Sequence, residues 1–287
     1  MATIAENVKQ TPARVLPARD TRAKIGGYIA ISIVVVATVV IALNPNFRWP
    51  TVAEFLFDPN ILIGIVNTVL LTIAATVCGT VIGALLALMK LSKSKQLYII
   101  AEGYIWIFRG VPLLVQLLLW FNLAALFPAT GVEVPGLDIS LEFNANQIIS
   151  PFMAAFLAFS LHEGAYMAEI IRSGISSIDS GQWEAAGALA MNSRQRMSRI
   201  ILPQALRVIV PPTGNQVITM LKTTSLVSVI ALNDLLYSAQ IIYSNNYQVI
   251  PLLLVASIWY LVMVTILTAV QIRLERRLSR GRYVSNK

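Results

Sequence analysis

Six long apolar stretches constrain the fold of this chain more than any other feature of its sequence. They cover approximately residues 25–43, 61–89, 101–127, 148–171, 206–230 and 249–271. A helix needs roughly 20 predominantly apolar residues to cross the hydrocarbon core of a bilayer. Because backbone groups in lipid must be hydrogen-bonded internally, such stretches span as helices. The sequence therefore predicts an all-α membrane protein with about six transmembrane helices.

Basic residues are distributed unevenly between the loops that join these stretches. They cluster before the first stretch, after the second and at the C-terminus, whereas loops 44–60, 128–147 and 243–248 contain only Arg48 of the 22 Lys and Arg residues. Short cytoplasmic loops accumulate Lys and Arg. We therefore expect both termini to be cytoplasmic. No small-residue cleavage site follows residues 25–43, so this stretch is expected to remain as an anchor.

Several kinds of chemistry are excluded by composition. The net charge of +8 is explained by the topology signal, so no nucleic-acid partner is predicted. Cys78 is the single cysteine, which excludes an intrachain disulfide and a multi-thiolate metal site, and His162 is the single histidine. No set of His, Asp and Ser residues suggests an intramembrane enzyme. We predict neither catalytic residues nor metal ligands.

One segment is too polar to span. Residues 181–212 carry Arg194, Arg196, Arg199 and Arg207 between two apolar stretches. The topology places residues 174–205 in the cytoplasm, with room for two short helices. Asp179 and Gln182 have capping-box spacing for the first helix, and Pro203 fits the first turn of the second.

The first of these short helices is expected to present a smooth face. Trp183, Ala186, Gly187 and Ala190 share one side at helical spacing, which would fit a groove on another protein. A solvated loop whose arginines only enforce topology remains the alternative when the residues are considered alone.

The segment EAAGALAMNSRQRMSRIILP resembles the cytoplasmic signature loop of permease subunits in ATP-binding-cassette (ABC) importers. The signature has Glu-Ala-Ala, three residues, Gly, nine residues, then Ile-x-Leu-Pro. The matching positions are Glu184, Ala185, Ala186, Ile200, Leu202 and Pro203. Ala190 occupies the place of the glycine. Because alanine resists positive φ, the turn between the two coupling helices is where this chain departs from the pattern.

Five further blocks look like the polar amino-acid branch of these permeases. They are NTVLLTIAATVCGTVIGALLAL, RGVPLLVQLLLWF, AYMAEIIRSGI, LPQALRVIVPP and LKTTSLVSVIAL, with Val111 where the branch usually has a small hydroxyl residue. The resemblance implies a type I ABC importer fold over residues 61–276, including a coupling loop at 174–205. Residues 25–43 then form an extra N-terminal helix behind a basic tail, residues 1–24, added to a core of five helices.

The resemblance also implies partners. The chain has no G-x-x-x-x-G-K-[ST] loop, so ATP and Mg²⁺ are expected on two cytoplasmic ATP-binding subunits and no cofactor on this chain. A second permease subunit, identical or similar, and an extracytoplasmic amino-acid-binding protein complete the implied assembly in the bacterial inner membrane. The residues expected to dock the ATPase are Trp183, Glu184, Ala185, Ala186 and Ala190.

Polar side chains within the fourth span mark a predicted substrate path. Ionisable residues inside spans are costly and usually functional. Glu163 has no neighbouring Lys or Arg in its span, so we expect it to receive the cationic group of a substrate. His162 and Tyr166 lie near it, although a helix–helix hydrogen bond is the commoner role of a single histidine.

Other polar residues of the spans have two interpretations each. Arg109 either lines the path, beside a bend permitted by Gly110 and Pro112, or extends to the inner interface. Lys222 and Thr224 either line a polar cavity or, for the hydroxyl, bond back to their own helix. Glu169 and Arg172 are expected to form a local ion pair, and Asp234 to be solvated near the outer surface.

The sequence thus predicts a permease subunit of an ATP-driven importer of polar amino acids, which forms the translocation path and couples it to ATPase subunits. It is expected to be a transport subunit and not an enzyme. A self-sufficient secondary transporter is the alternative. That class predicts inverted internal repeats, and no clear duplication is visible in the sequence.

Overall fold

The computed structural model describes residues 21–123, 130–133, 140–143 and 150–279. Residues 1–20 and 280–287, which hold many of the basic residues used for the topology, lie outside this part of the chain, as do the predicted span ends at 124–127 and 148–149. The chain divides into a unit that ends at Arg48 and a unit that begins at Trp49. The first unit consists of α1 (Thr21–Leu43) and a 3₁₀ turn (Pro45–Phe47).

The second unit is helical apart from one hairpin in its described part. Its elements are α2 (Trp49–Phe55), α3 (Pro59–Leu91), α4 (Lys95–Gly110), α5 (Leu113–Phe121), β1 (Thr130–Glu133), β2 (Ser140–Phe143), α6 (Pro151–Ser176), α7 (Ser180–Ala188), α8 (Ser193–Gln195) with a π-helical turn (Arg196–Ile201), α9 (Leu202–Thr223) with a 3₁₀ extension (Thr224–Ile230), α10 (Leu235–Asn246) and α11 (Val249–Ser279). The two strands pair antiparallel, with Thr130 opposite Phe143.

The described helices agree with the predicted membrane class. Three helices are long and apolar enough to span a bilayer, namely α1, α3 and α11, and two bent pairs raise this number to five if each pair crosses once. The remaining predicted span, the fourth in chain order, is α6. Its 26 residues reach about 39 Å at 1.5 Å per residue. It is not among the helices that qualify as spans by length and composition, and it carries His162, Glu163, Glu169 and Arg172.

The third predicted span is not one helix. α4 and α5 meet at an angle of 98°, and Val111 and Pro112 between them are extended. Proline lacks an N–H group and disfavours helical backbone at the residue before it. The bend therefore lies where Gly110 and Pro112 permit it, but it is much sharper than a kink within a continuous span.

Three short elements were not predicted from the sequence: α2, α10 and the β1–β2 hairpin. Their apolar patterns are too short to be separated from loops by periodicity. α2 is joined to α11 by the indole of Trp259, whose Nε1 donates to the Leu56 carbonyl at 2.7 Å.

Glycines allow α3 and α6 to pack closely. A Cβ atom added to Gly83 would lie 2.5 Å from the Cβ of Met167, and one added to Gly79 would lie 2.5 Å from the Cβ of Glu163. Small residues let membrane helices bring their backbones together, which increases van der Waals contact. This contact runs beside a core that includes the fully buried Phe159.

An ionic network joins the ends of three helices. Lys90 Nζ of α3 lies 2.6 Å from a carboxylate oxygen of Glu102 in α4 and 2.6 Å from one of Glu169 in α6. Glu169 also accepts from Arg172 at 2.9 and 3.0 Å, which confirms the predicted local pair. The Lys90 side chain is 8% exposed, so this residue, which follows the second apolar stretch, joins α3, α4 and α6.

Substitution of Gly83 tests the close contact of α3 and α6. We expect Gly83→Ala to lower the free energy of unfolding by about 1–3 kcal/mol, since the new methyl group must displace Met167 or the α6 backbone. The measurement is the apparent Tm of the purified protein in detergent.

Gly103→Ala in α4 is the matched control, because no atom lies within 4 Å of the added Cβ. It should leave the Tm unchanged or raise it, given the helix propensity of alanine. Equal Tm values for the two variants would contradict the packing argument.

Candidate functional site

The polar side chains of α6 point to two different sides. Consecutive residues of an α-helix are rotated by about 100°. Accordingly Glu163 faces α3 and α9, whereas His162 and Tyr166 face the bend between α4 and α5. The residues that the sequence grouped into one path therefore form two adjacent clusters.

Glu163 is buried where α3, α6 and α9 meet. Its side chain is fully buried, and Gln216 Nε2 of α9 donates to its Oε2 at 3.0 Å. Its Oε1 has no hydrogen-bond partner in the described structure. Thr76 Oγ1 of α3 and Ser160 Oγ of α6 are also buried and unpaired. Leaving such groups unpaired is costly, so this interface can readily accept a hydrogen-bond donor.

His162 is held by the bend between α4 and α5. Its Nδ1 lies 3.1 Å from the Phe108 carbonyl oxygen, to which it can donate, and 3.4 Å from Gln116 Nε2. Gln116 Nε2 in turn donates to the carbonyls of Phe108 at 3.0 Å and Val111 at 2.7 Å. The helix–helix hydrogen bond considered for His162 is therefore present, and Gln116 satisfies carbonyls at the break.

Arg109 stacks on an aromatic ring. Its guanidinium carbon lies 5.1 Å from the ring centre of Tyr166, within cation–π range, and the Tyr166 and His162 rings are 4.8 Å apart. The structure thus brings Arg109, Tyr166 and His162 together at the bend, with the Arg109 side chain exposed.

Lys222 and Thr224 do not join either cluster. Lys222 is exposed, and the buried Thr224 donates to the Leu221 carbonyl at 2.6 Å, which is the second of the two interpretations given for it. In the described structure neither side chain is hydrogen-bonded or ion-paired to Glu163, His162 or Arg109.

The expectation of a solvated Asp234 is wrong. Its side chain is 1% exposed and caps α10, accepting from Tyr237 N at 2.8 Å, while Tyr260 Oη of α11 donates to its other oxygen at 3.3 Å. Thr68 Oγ1 of α3 accepts from Leu235 N beside it at 3.1 Å. Asp234 is a structural cap whose carboxylate joins α10 to α11, and its position in a loop was a poor guide to its burial.

Helix α7 occupies the predicted polar segment. Asp179 Oδ1 accepts from Gly181 N at 2.7 Å and so caps the helix as expected. The Gln182 half of the capping box is absent. The Gln182 side chain instead accepts from Gln204 Nε2 of α9 at 3.1 Å. A complete capping box forms at Asn192 and Gln195, where the following helix begins.

The two sides of α7 differ in burial. Trp183 is half-buried against the cluster of Ile201, Ala205 and neighbouring isoleucines at the start of α9, and Ala186 is 3% exposed. The opposite side exposes Glu184 and Ala185, and Leu189 follows with 76% exposed. The face predicted for a partner groove thus points partly toward the chain itself, because the large aromatic is stabilised on the apolar base of α9.

The turn after α7 keeps a glycine-type backbone without a glycine. Ala190 has φ of 52°, in the left-handed region. Its N–H donates to the Gly187 carbonyl at 2.9 Å, and Met191 N donates to the Ala186 carbonyl at 3.2 Å. These two hydrogen bonds form a Schellman motif, which is strong enough to hold an alanine in this conformation.

Two residues of these clusters were missed in the sequence, Gln116 and Gln216. Both are amides within apolar helices, and an uncharged amide in a span is a weak signal because it can also be exposed or bond to its own helix. A polar residue four positions after a helix-breaking proline, as Gln116 is after Pro112, would have been a usable sign.

Comparison with known proteins gives consistent matches. The family described as "Binding-protein-dependent transport system inner membrane component" matches residues 79–280. The arginine transport system permease protein ArgU of Corynebacterium glutamicum is 40% identical over 262 residues, which cover 89% of this chain and 81% of the relative. The L-cystine transport system permease protein TcyB of Bacillus subtilis is 37% identical, covering 84% of this chain and 95% of the relative.

Solved structures have the same fold. The crystal structure of an amino acid ABC transporter with histidines aligns with a TM-score of 0.66 at 37% identity, over 78% of this chain and 97% of that one. The inward-facing MetNI methionine ABC transporter aligns with a TM-score of 0.58 at 18% identity, covering 76% and 96%, and at that identity it supports the fold alone.

A glycine at position 190 should stabilise the turn after α7. Alanine in the left-handed region costs about 1–2 kcal/mol. We expect Ala190→Gly to recover about 1 kcal/mol and to slow amide hydrogen exchange at residues 190 and 191, measured by mass spectrometry. Ala188→Gly, within the last turn of α7, is the control and should not slow exchange. Faster exchange in Ala190→Gly would show that the turn carries no strain.

Proposed function

Because this chain belongs to the family of binding-protein-dependent transport system inner membrane components, we propose that it imports an amino acid, and that Glu163 binds the cationic group of this cargo on the transport path. The family establishes the coarser function. The chain is a permease subunit in the inner membrane, a transport subunit and not an enzyme, and it works with ATPase subunits and a binding protein. A self-sufficient secondary transporter has no support among the relatives.

The cargo class is inferred from the relatives and from one buried carboxylate. Relatives are named for arginine, L-cystine and glutamine transport, all of them amino acids. Glu163 has one oxygen bonded to Gln216 and one oxygen unpaired, at a site with no basic side chain bonded to it. An ammonium or guanidinium group would complete this site, because charge-assisted hydrogen bonds are stronger than neutral ones.

Binding at Glu163 requires a change in the packing of α3, α6 and α9. The carboxylate is fully buried, and the α3 backbone at Gly79 lies directly against it. Cargo can therefore reach Oε1 only when these helices separate, as expected for a transporter that alternates between two openings. The exposed Arg109 on Tyr166 is proposed to meet the carboxylate end of the cargo, with His162 fixing the bend behind it. Roles for Lys222 and Thr224 remain predictions.

ATPase docking is proposed at the exposed side of α7. Glu184 and Ala185 belong to the signature positions, and Leu189 adds an apolar contact. Trp183 and Ala186 are proposed to act from the other side by fixing α7 to α9, together with the Gln182–Gln204 hydrogen bond. Displacement of Glu184 would then move α9, whose Gln216 holds Glu163. This is a contiguous mechanical link from the docking surface to the cargo site.

The proposed assembly has two permease subunits, identical or similar, and two ATP-binding subunits that hold ATP and Mg²⁺. Closed symmetric pairs are the commonest arrangement of such subunits. The positive-inside pattern supports cytoplasmic termini, so α7 would lie on the side of the ATPases.

Replacing Glu163 tests the cargo site. Glu163→Gln keeps the shape of the side chain and removes its charge, so we expect uptake of arginine or lysine to fall about tenfold or more, as for loss of one charge-assisted hydrogen bond. Uptake of glutamine, whose side chain is uncharged, should change much less than uptake of arginine or lysine if the complete transporter also carries glutamine. The measurement is uptake of labelled amino acids into proteoliposomes that contain the complete transporter.

Glu54→Gln is the matched control for this variant, because Glu54 is an exposed glutamate of α2. It should behave as the unsubstituted protein. An equal loss for cationic and neutral amino acids in Glu163→Gln, with intact expression, would assign Glu163 to folding instead of cargo binding.

Charge reversal at Glu184 tests the docking surface. We expect Glu184→Lys to reduce uptake per ATP hydrolysed about tenfold without changing membrane insertion, because the side chain is exposed and contributes nothing to the core. ATPase activity and uptake are measured in the same vesicles, with Glu54→Lys as the control. Undiminished coupling in Glu184→Lys would exclude this surface of α7 as the docking point.

A further inference from the structure

A cavity of about 730 Å³ lies at the end of the helices next to α7. Its walls come from the turn between α6 and α7, from the first half of α9 and from the last turns of α11. Four charged side chains line it: Arg207, Arg276, Asp179 and Glu275. Apolar side chains such as Pro211 and Ile272 form the rest of the wall.

The cavity is lined by equal numbers of positive and negative side chains, and several of their polar atoms form no hydrogen bond in the described structure. Arg207 makes no ion pair or hydrogen bond through its side chain in the described structure. Asp179 Oδ1 accepts from Gly181 N, and Glu275 Oε1 accepts from Gln271 Nε2 at 2.8 Å. The second oxygen of each carboxylate forms no such bond there. Two cationic and two anionic groups therefore face one space, in which the Arg207 guanidinium and the second oxygens of Asp179 and Glu275 can bind a ligand.

The position of the cavity along the helices is that of a lipid headgroup. The apolar stretch of α11 ends at about residue 271, and Arg273, Glu275, Arg276 and Arg277 follow it in the last turns of the helix. α9 begins on the same side, directly after the polar segment. Charged residues concentrated at the ends of apolar helices mark the membrane–water interface. A ligand in this cavity would have charged groups at the headgroup level and apolar groups against the helix wall.

We propose that this cavity binds a phospholipid headgroup that carries both a phosphate and a primary ammonium, as in phosphatidylethanolamine. Arg207 and Arg276 bind the phosphate, for which guanidinium groups are suited. Asp179 and Glu275 accept from the ammonium, and Pro211 and Ile272 contact the glycerol and the first acyl carbons. An anionic headgroup would provide no cationic group for the two carboxylates. A choline headgroup is cationic but has no N–H donor for them.

The site adjoins the proposed coupling segment. Asp179 is both a wall of the cavity and the cap of α7. A bound headgroup therefore rests on the turn that joins α6 to α7 and stabilises its conformation. The lipid proposal depends on residence in the membrane, which the family establishes, and does not depend on the identity of the cargo or on the role of Glu163.

Lipid competition measured by native mass spectrometry tests the proposal. The full-length protein in detergent is offered phosphatidylethanolamine, phosphatidylcholine and phosphatidylglycerol with identical acyl chains at equal concentration. We expect the ethanolamine lipid to be retained several-fold over the other two. The double variant Arg207→Gln and Arg276→Gln should lose this retention about tenfold. The double variant Arg194→Gln and Arg199→Gln removes two exposed arginines outside the cavity and should keep it.

A second pair of substitutions separates recognition from structure. Asp179→Asn and Glu275→Gln together remove the two negative charges, while asparagine still caps α7. This variant should change its preference from the ethanolamine lipid to phosphatidylglycerol. A general loss of folding would lower retention of all lipids and would not exchange one preference for another.

Two results would overturn the proposal. Equal retention of the three lipids by the unsubstituted protein would show that the cavity does not discriminate between headgroups. Displacement of the lipid by soluble phosphoethanolamine or by a free amino acid at a similar concentration would show that the ligand is a soluble zwitterion and not a membrane lipid.

Discussion

The rest of the structure depends on the close contact between α3 and α6. Gly79 and Gly83 on α3 let the two helix backbones approach, and Gly164 on α6 does the same against Ile82. In lipid, where burial of apolar surface no longer drives helices together, such close packing is a main source of attraction. The contact also decides which polar groups are buried. It closes over Glu163 and brings Lys90 to Glu169, so the proposed cargo site and the ionic network are consequences of one packing interface.

α9 connects the two functional regions. Its first turns hold α7 through the Trp183 cluster and the Gln182–Gln204 hydrogen bond, and its middle carries Gln216, the partner of Glu163. Pro211 and Pro212 interrupt the hydrogen bonds between these regions, yet the helix continues. Gln271 of α11 donates to the Pro211 carbonyl and to Asn215 Oδ1, which ties α9 to α11 at the prolines. The proposed lipid cavity lies at this same junction of α9 and α11, beside the turn that leads into α7.

Much of the fold was predictable because membrane spans follow from length and hydropathy, and because proline and glycine mark breaks. The spans of α1, α3 and α11, the family and its transport function, the Asp179 cap and the Glu169–Arg172 pair were predicted correctly. Three features were not predicted. They are the sharpness of the α4–α5 bend, the burial of Asp234 and the packing of Trp183 on α7 against the start of α9. Each of these depends on which distant element packs against a residue. Periodicity gives the face of a helix but not the neighbour of that face.

The sequence by itself determined that this chain crosses a membrane and that its polar loop carries the signature of a coupled permease. These follow from composition and from local spacing. Only the tertiary structure decided that Glu163 and His162, adjacent in the chain, belong to different clusters, that Gln216 completes one and Gln116 the other, and that Ala190 adopts the conformation of the missing glycine. The physical reason for the two clusters is that hydrogen-bond partners in a helical membrane protein are set by contacts between helices far apart in sequence, which no local pattern records. The turn at Ala190 is held by its own Schellman hydrogen bonds, which an alanine in the place of the glycine does not reveal in the sequence.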